Sequence, residues 1–134
     1  MSLCRRLTAA SLLAAAALCP APACAFDLNG AWATDVSYCE KVFKKQGNRV
    51  TFTQLSELYG GGFIIEGNRV QVQLGHCTIE SRKEDGKTIH VRAACTTQIA
   101  TEQVELDINV VDDNTFSRTF PGTSAAVDYH RCTL

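Results

Sequence analysis

From Arg49 onward, apolar residues recur at every second position over most of the chain. Val50 and Phe52 alternate with Arg49, Thr51 and Thr53, and Val70, Val72 and Leu74 alternate with Arg69, Gln71 and Gln73. Ile89, Val91, Ala93 and Cys95 alternate with Thr88, His90, Arg92 and Ala94, and Val104, Leu106, Ile108 and Val110 with Glu105, Asp107 and Asn109. Side chains of a strand point alternately to its two faces, so this spacing describes strands with one dry and one wet face, as in antiparallel sheet. Turn formers separate the runs at Gly67-Asn68, Asp85-Gly86, Asp112-Asp113-Asn114 and Pro121-Gly122. Leu28 to Thr34 reads as the first strand, and Thr115 to Phe120 and Val127 to Cys132 as the last. The connections are too short for crossover helices, which disfavours parallel pairing. The expected fold is all-β, an antiparallel meander of about eight strands closing as a small barrel. A β-sandwich is the alternative, but only closure removes the exposed strand edges.

One segment breaks the period. Ser37 and Glu40 have capping-box spacing, Val36, Cys39 and Phe43 recur at helical spacing, and Gly47 supplies a stop. A short helix of about two to three turns is expected after the first strand, with Cys39 on its inner face.

The first 25 residues have a different character. Arg5 and Arg6 precede an uncharged Ala- and Leu-rich run from Leu7 to Leu18, then Pro20, Pro22 and Ala23-Cys24-Ala25. A basic start, an apolar run and small residues at −3 and −1 form a secretory signal, with cleavage expected after Ala25. The apolar run is shorter than the roughly 20 residues a spanning helix needs, so no membrane anchor is expected. Neither Cys19, preceded by Leu18, nor Cys24, preceded by Ala21-Pro22-Ala23, fits a lipid-attachment pattern. The division is residues 1–25 as signal and 26–134 as one domain, placed in the periplasm or outside the cell. Removing Arg5 and Arg6 from the 13 basic residues leaves 11 against 14 acidic ones, a net charge of −3. That balance argues against a nucleic-acid partner or an anionic membrane surface.

Four cysteines remain in the domain: Cys39, Cys77, Cys95 and Cys132. An even number in a small exported domain reads as two disulfides, and none of their spacings matches a zinc knuckle. Cys77 shares a face with Ile79, and Cys95 with Val91 and Ala93. Opposed residues of an antiparallel pair share a face, so a hairpin centred on Gly86 would set Cys77 against Cys95. A three-residue loop, Asp85-Gly86-Lys87, puts them directly opposite; Glu84 to Gly86 leaves them diagonal; a two-residue Asp85-Gly86 turn sets the dry faces apart and is disfavoured. Cys39 and Cys132 are left to pair.

Gly30-Ala31-Trp32 resembles the G-x-W element on the first strand of the lipocalin and wider calycin group. The resemblance implies that Trp32 lies across the closed end of an eight-stranded barrel, with a basic residue near the C-terminus, here Arg131, packed over it. It also implies a carrier of small apolar ligands.

No arrangement of residues spells out catalysis. His76, His90 and His130 fall on wet faces at spacings that do not form a metal set. There is no G-x-S-x-G, and Gly60-Gly61-Gly62 lacks the Lys-Ser/Thr of a phosphate loop. No enzyme, cofactor or metal is expected. The most unusual stretch is Leu58 to Ile65. Tyr59 and Phe63 flank Gly60, Gly61 and Gly62, either as an adaptable contact loop or as a bulged connection whose apolar neighbours enter the core. Inward residues such as Phe52, Leu74, Ile79, Leu106, Ile108 and Phe116 are bulky enough to fill a small barrel. The preferred expectation is therefore a protein-binding module, an inhibitor or adaptor of a secreted or envelope protein; a carrier of a small apolar ligand is the alternative. The exported protein is expected to begin at Phe26. Intact mass measurement checks this, and a mass retaining residues 1–25 or a diacylglycerol adduct on Cys24 refutes it.

Overall fold

The structure, a computed structural model, describes residues 25–134. The expected signal segment lies outside these residues apart from Ala25. The strands are β1 (Gly30–Ala33), β2 (Phe43–Gln46), β3 (Arg49–Phe52), β4 (Gly62–Glu66), β5 (Arg69–Val72), β6 (Gly75–Asp85), β7 (Thr88–Thr97), β8 (Thr101–Asp112), β9 (Thr115–Thr119) and β10 (Ala126–Arg131), with one helical turn, α1 (Cys39–Val42). Eight strands close into an antiparallel barrel in the order β1-β10-β9-β8-β7-β6-β5-β4. The barrel, not the sandwich, is the architecture, with one short helix after the first strand.

The alternating runs behave as their period dictates. Ile89, Val91 and Ala93 on β7 and Ile108 on β8 are buried, while His90 and Arg92 face water. Inside the barrel, Trp32 and Phe116 lie 4.6 Å apart between ring centroids and Phe63 and Tyr129 4.7 Å, tilted as aromatic pairs prefer. A second apolar cluster forms outside the barrel wall. Val42 and Phe43 pack there against Ala31, Ala33 and Ile64, with Val50 and Phe52 at its margin.

Several expectations from the sequence need correction. The helix is shorter than two to three turns: a 3₁₀ turn, Val36–Tyr38, leads into the single turn α1, and Phe43 already starts β2. Asp35, not Ser37, caps the 3₁₀ turn, accepting a hydrogen bond from the Ser37 backbone N–H at 2.9 Å. Gly47 lies between β2 and β3 rather than at a helix end. Phe52 therefore stands against Phe43 in a two-stranded flap, and its strand is not a barrel stave. The eighth stave is β4, whose Phe63-Ile64-Ile65 shows no alternation because both of its faces are buried. Leu74 is 77 % exposed, beyond the end of β5. Lys44-Lys45 and Arg82 to Asp85 are exposed strand residues.

Cys77 does stand opposite Cys95, but by another route. Asp85 pairs with Thr88 around a two-residue Gly86-Lys87 loop, and a register shift between Ile79 and Ser81 restores the parity. Gly86 adopts the positive φ of 60° that a primed hairpin turn needs at its first loop residue. The extra residue is a β-bulge, which sequence periodicity does not reveal.

Both disulfides form. Cys77–Cys95 joins neighbouring staves across 18 residues, and Cys39–Cys132 ties α1 to the end of the chain across 93. Such bonds belong to an oxidising, extracytoplasmic environment. Among the described residues, no helix is long and apolar enough to cross a membrane. Because the stabilisation grows with the loop closed, removing Cys39–Cys132 (93 residues) is expected to cost about 4–5 kcal/mol and removing Cys77–Cys95 (18 residues) about 3. Urea titration of the two double Cys→Ala variants measures both; the reverse order would contradict the chain-entropy account.

Candidate functional site

One end of the barrel is sealed by two residues of the G-x-W stretch and an arginine. Trp32 is fully buried, and its indole Nε1 donates to the Leu28 carbonyl at 2.9 Å. The Arg131 guanidinium stands 4.3 Å from the Trp32 ring centroid. It donates to the backbone carbonyls of Asp27 (2.7 Å), Asn29 and Asp113 (3.2 Å). One side chain thus clamps the N-terminal segment and the β8–β9 turn over the indole. Gly30 is needed beside it. Its φ is 127°, and a Cβ there would come within 3.1 Å of Arg131 Nη1.

Above this seal the barrel is not filled. A cavity of about 370 Å³ is lined by Phe63, Val72, Val91, Ala93, Val104 and Phe116 among other apolar residues. The expected self-filling fails for identifiable reasons. Two of the expected fillers, Phe52 and Leu74, lie outside the barrel. Neighbouring staves contribute small side chains instead, such as Ala93 and Val104, register partners on β7 and β8. The cavity reaches solvent at its other end, where the lining residues Glu102 and Phe120 are exposed. Leu55, Leu58, Leu74 and Ile99, on connections at that end of the staves, are exposed too.

Arg118 is the unexpected member of the lining. It shares a face of β9 with Phe116, so its side chain enters the barrel. Its guanidinium carbon lies 5.2 Å from the Tyr129 ring centroid and 5.1 Å from that of Phe120. The Tyr129 hydroxyl is pushed above its ordinary pKa by burial, an effect partly offset by the Arg118 charge. The alternation of Phe116, Arg118 and Phe120 already set an arginine on the dry face of the ninth strand. Its inward position was therefore legible in the sequence.

The glycine segment is a packed connection. Phe63 is 9 % exposed and belongs to the barrel core, so its side chain is not available to a partner. Tyr59 is half-buried, with its ring 5.8 Å from that of Tyr38 and the Lys41 ammonium 5.1 Å from its centroid. Gly60 and Gly61 are exposed, while Gly62 is half-buried. A Cβ on Gly62 would meet the Trp32 carbonyl at 2.8 Å and Phe43 Cζ at 2.9 Å, so close packing of the flap on β1 explains this glycine.

The histidines lie outside the cavity. His90 Nδ1 is 2.6 Å from Asp107 Oδ1 on the outer wall, and His76 is exposed. His130 Nδ1 is 3.4 Å from the Thr115 hydroxyl. Among the described residues, no three His, Cys, Asp or Glu side chains gather as a metal set.

The fold and site define a class: an eight-stranded antiparallel barrel of general lipocalin-like shape, sealed by a Trp–Arg pair and hollow above it. No protein-family model, curated protein or solved structure matches the chain.

Arg131→Ala removes the cation–π contact and the clamp on three carbonyls, an expected loss of about 1–3 kcal/mol. Trp32, the only tryptophan, should then emit at longer wavelength as water reaches the sealed end. Unchanged emission together with unchanged stability would show that the clamp is not needed.

Proposed function

We propose that this protein is an exported, non-enzymatic carrier of a small apolar ligand, held inside a barrel of the lipocalin or calycin kind. The observation that carries the reading is the apolar cavity of about 370 Å³ between the Trp32 seal and the mouth at Phe120. Ligand pockets are concave, mostly apolar and largely pre-formed, with a few placed polar groups, and this cavity meets each condition. One molecule's share of liquid water is about 30 Å³, so the space takes roughly a dozen non-hydrogen atoms. Membership of the lipocalin group is supported by Gly30-Ala31-Trp32 and the Arg131 clamp. Export to the periplasm or the medium is supported by the signal grammar of residues 1–25 and by the two disulfides.

A second reading, the protein-binding module, draws on the exposed Leu55, Leu58, Leu74 and Ile99 near the mouth. It leaves the cavity without a role, so it ranks below the carrier.

The carrier reading makes a quantitative expectation. Each buried methylene contributes about 0.8 kcal/mol, so affinity for straight-chain alcohols should rise about fourfold per carbon from hexanol, levelling once the cavity is full. Ala93→Leu, which extends a side chain into that space, should weaken decanol binding about tenfold with the far-ultraviolet spectrum unchanged. Calorimetric titration decides it: no binding at any chain length removes the carrier reading.

A further inference from the structure

We propose that the ligand is a small monocarboxylate with an apolar body, its head group ion-paired to Arg118 and its tail in the cavity. This rests on the carrier reading and narrows it to a chemical class.

Arg118 is a cation whose position nothing else among the described residues explains. The ion pairs among the described residues join Arg82 to Glu84, Arg92 to Glu105, and His90 to Asp85 and Asp107, all on the outside of the barrel. Arg131 is occupied by three backbone carbonyls. Arg118 has no carboxylate within ion-pair distance and donates no hydrogen bond among the described residues. Its Nε is buried and unpartnered. The one carboxylate lining the cavity, Glu102, is no substitute. Arg118 pairs in register with Ile108, and Glu102 lies six residues further along β8, about 20 Å of strand away.

The aromatic contacts do not resolve this. Tyr129 and Phe120 attract the guanidinium through their ring faces. The five N–H donors radiate in the guanidinium plane, and a ring face supplies them with no lone pair. The donor on Nε is the buried one, and leaving it without an acceptor costs free energy, more so beside an apolar cavity than in water. A carboxylate meets the requirement: two oxygens in a plane, accepting two parallel N–H bonds edge-on, with the charge neutralised. The rest of the cavity wall is almost wholly hydrocarbon, so the remainder of the ligand must be apolar. The size limit of about a dozen atoms then selects medium-chain or small aromatic acids over long-chain ones.

Octanoate, octanol and octylamine share a tail and differ in head group, and calorimetric titration of the purified, oxidised protein at neutral pH separates the possibilities. Octanoate is expected to bind about 10- to 100-fold tighter than octanol, the range of a charge-assisted hydrogen bond, and octylamine more weakly than octanol. In Arg118→Met, which keeps an apolar stem at the site, the ratio of octanoate to octanol affinity should fall to one or below. Arg118→Lys should recover part of the preference. On the unmodified chain, octanoate binding no tighter than octanol overturns the inference, because without a cation an ionised carboxylate gives up more hydration than an alcohol does. A preference that survives Arg118→Met overturns it as well. In both cases the carrier reading stands, since octanol still binds. If none of the three binds, both fall together.

Discussion

Strand β1 is four residues long, yet both of its edges are paired and both of its faces are covered. It hydrogen-bonds to β10 through Trp32 and Ala33 and to β4 along its whole length. Without those pairings the remaining staves would form an open sheet with two free edges, so barrel closure rests on this one segment. Its alternation serves two interiors at once. Trp32 points into the barrel, while Ala31 and Ala33 point outward under α1 and the β2–β3 flap. Small side chains on the outer face let the flap sit close, and Gly62 on β4 does the same from the neighbouring stave. The Cys39–Cys132 bond then holds the flap element to the chain end beside the same strand.

The closed end and the hollow end follow from that arrangement. Because Trp32 is fixed by pairing on both edges, its indole can serve as a floor against which Phe116 and Phe26 pack. Arg131, the register partner of Trp32, reaches over it and gathers carbonyls from two separate segments. Eight staves leave an interior wide enough for side chains to fill or for one small ligand. Here Ala93 and the four valines Val70, Val72, Val91 and Val104 leave the interior unfilled, and Arg118 brings charge rather than bulk. The result is an apolar space with, among the described residues, a single inward-facing cation.

The sequence carried the outline because strand alternation is local: a period of two over four to eight residues survives whatever the chain does elsewhere. Residues 69–74, 88–95 and 104–110 were readable as barrel staves on that ground, and parity alone placed Cys77 against Cys95. Legibility ended where a residue answers to two partners. Phe63-Ile64-Ile65 lost its alternation because it is buried on both faces, and so it read as a loop flank rather than a stave. Phe52 kept its alternation yet faces a second cluster. The bulge between Ile79 and Ser81 and the two-residue turn at Gly86 cancel one another in parity, so the right pairing came from the wrong loop.

What the sequence determined by itself was the all-β antiparallel class, the disulfide framework and the resemblance at Gly30-Ala31-Trp32. Each depends on spacing along one chain. Only the tertiary structure decided whether the interior is full or empty, which end is sealed, and that Arg118 faces the cavity without a counter-ion among the described residues. Those properties depend on how side chains from six or more staves meet across a barrel axis, and on a closure between residues a hundred positions apart. A cavity is volume left over when distant side chains fail to touch, and no local pattern records what is absent between residues that are not neighbours.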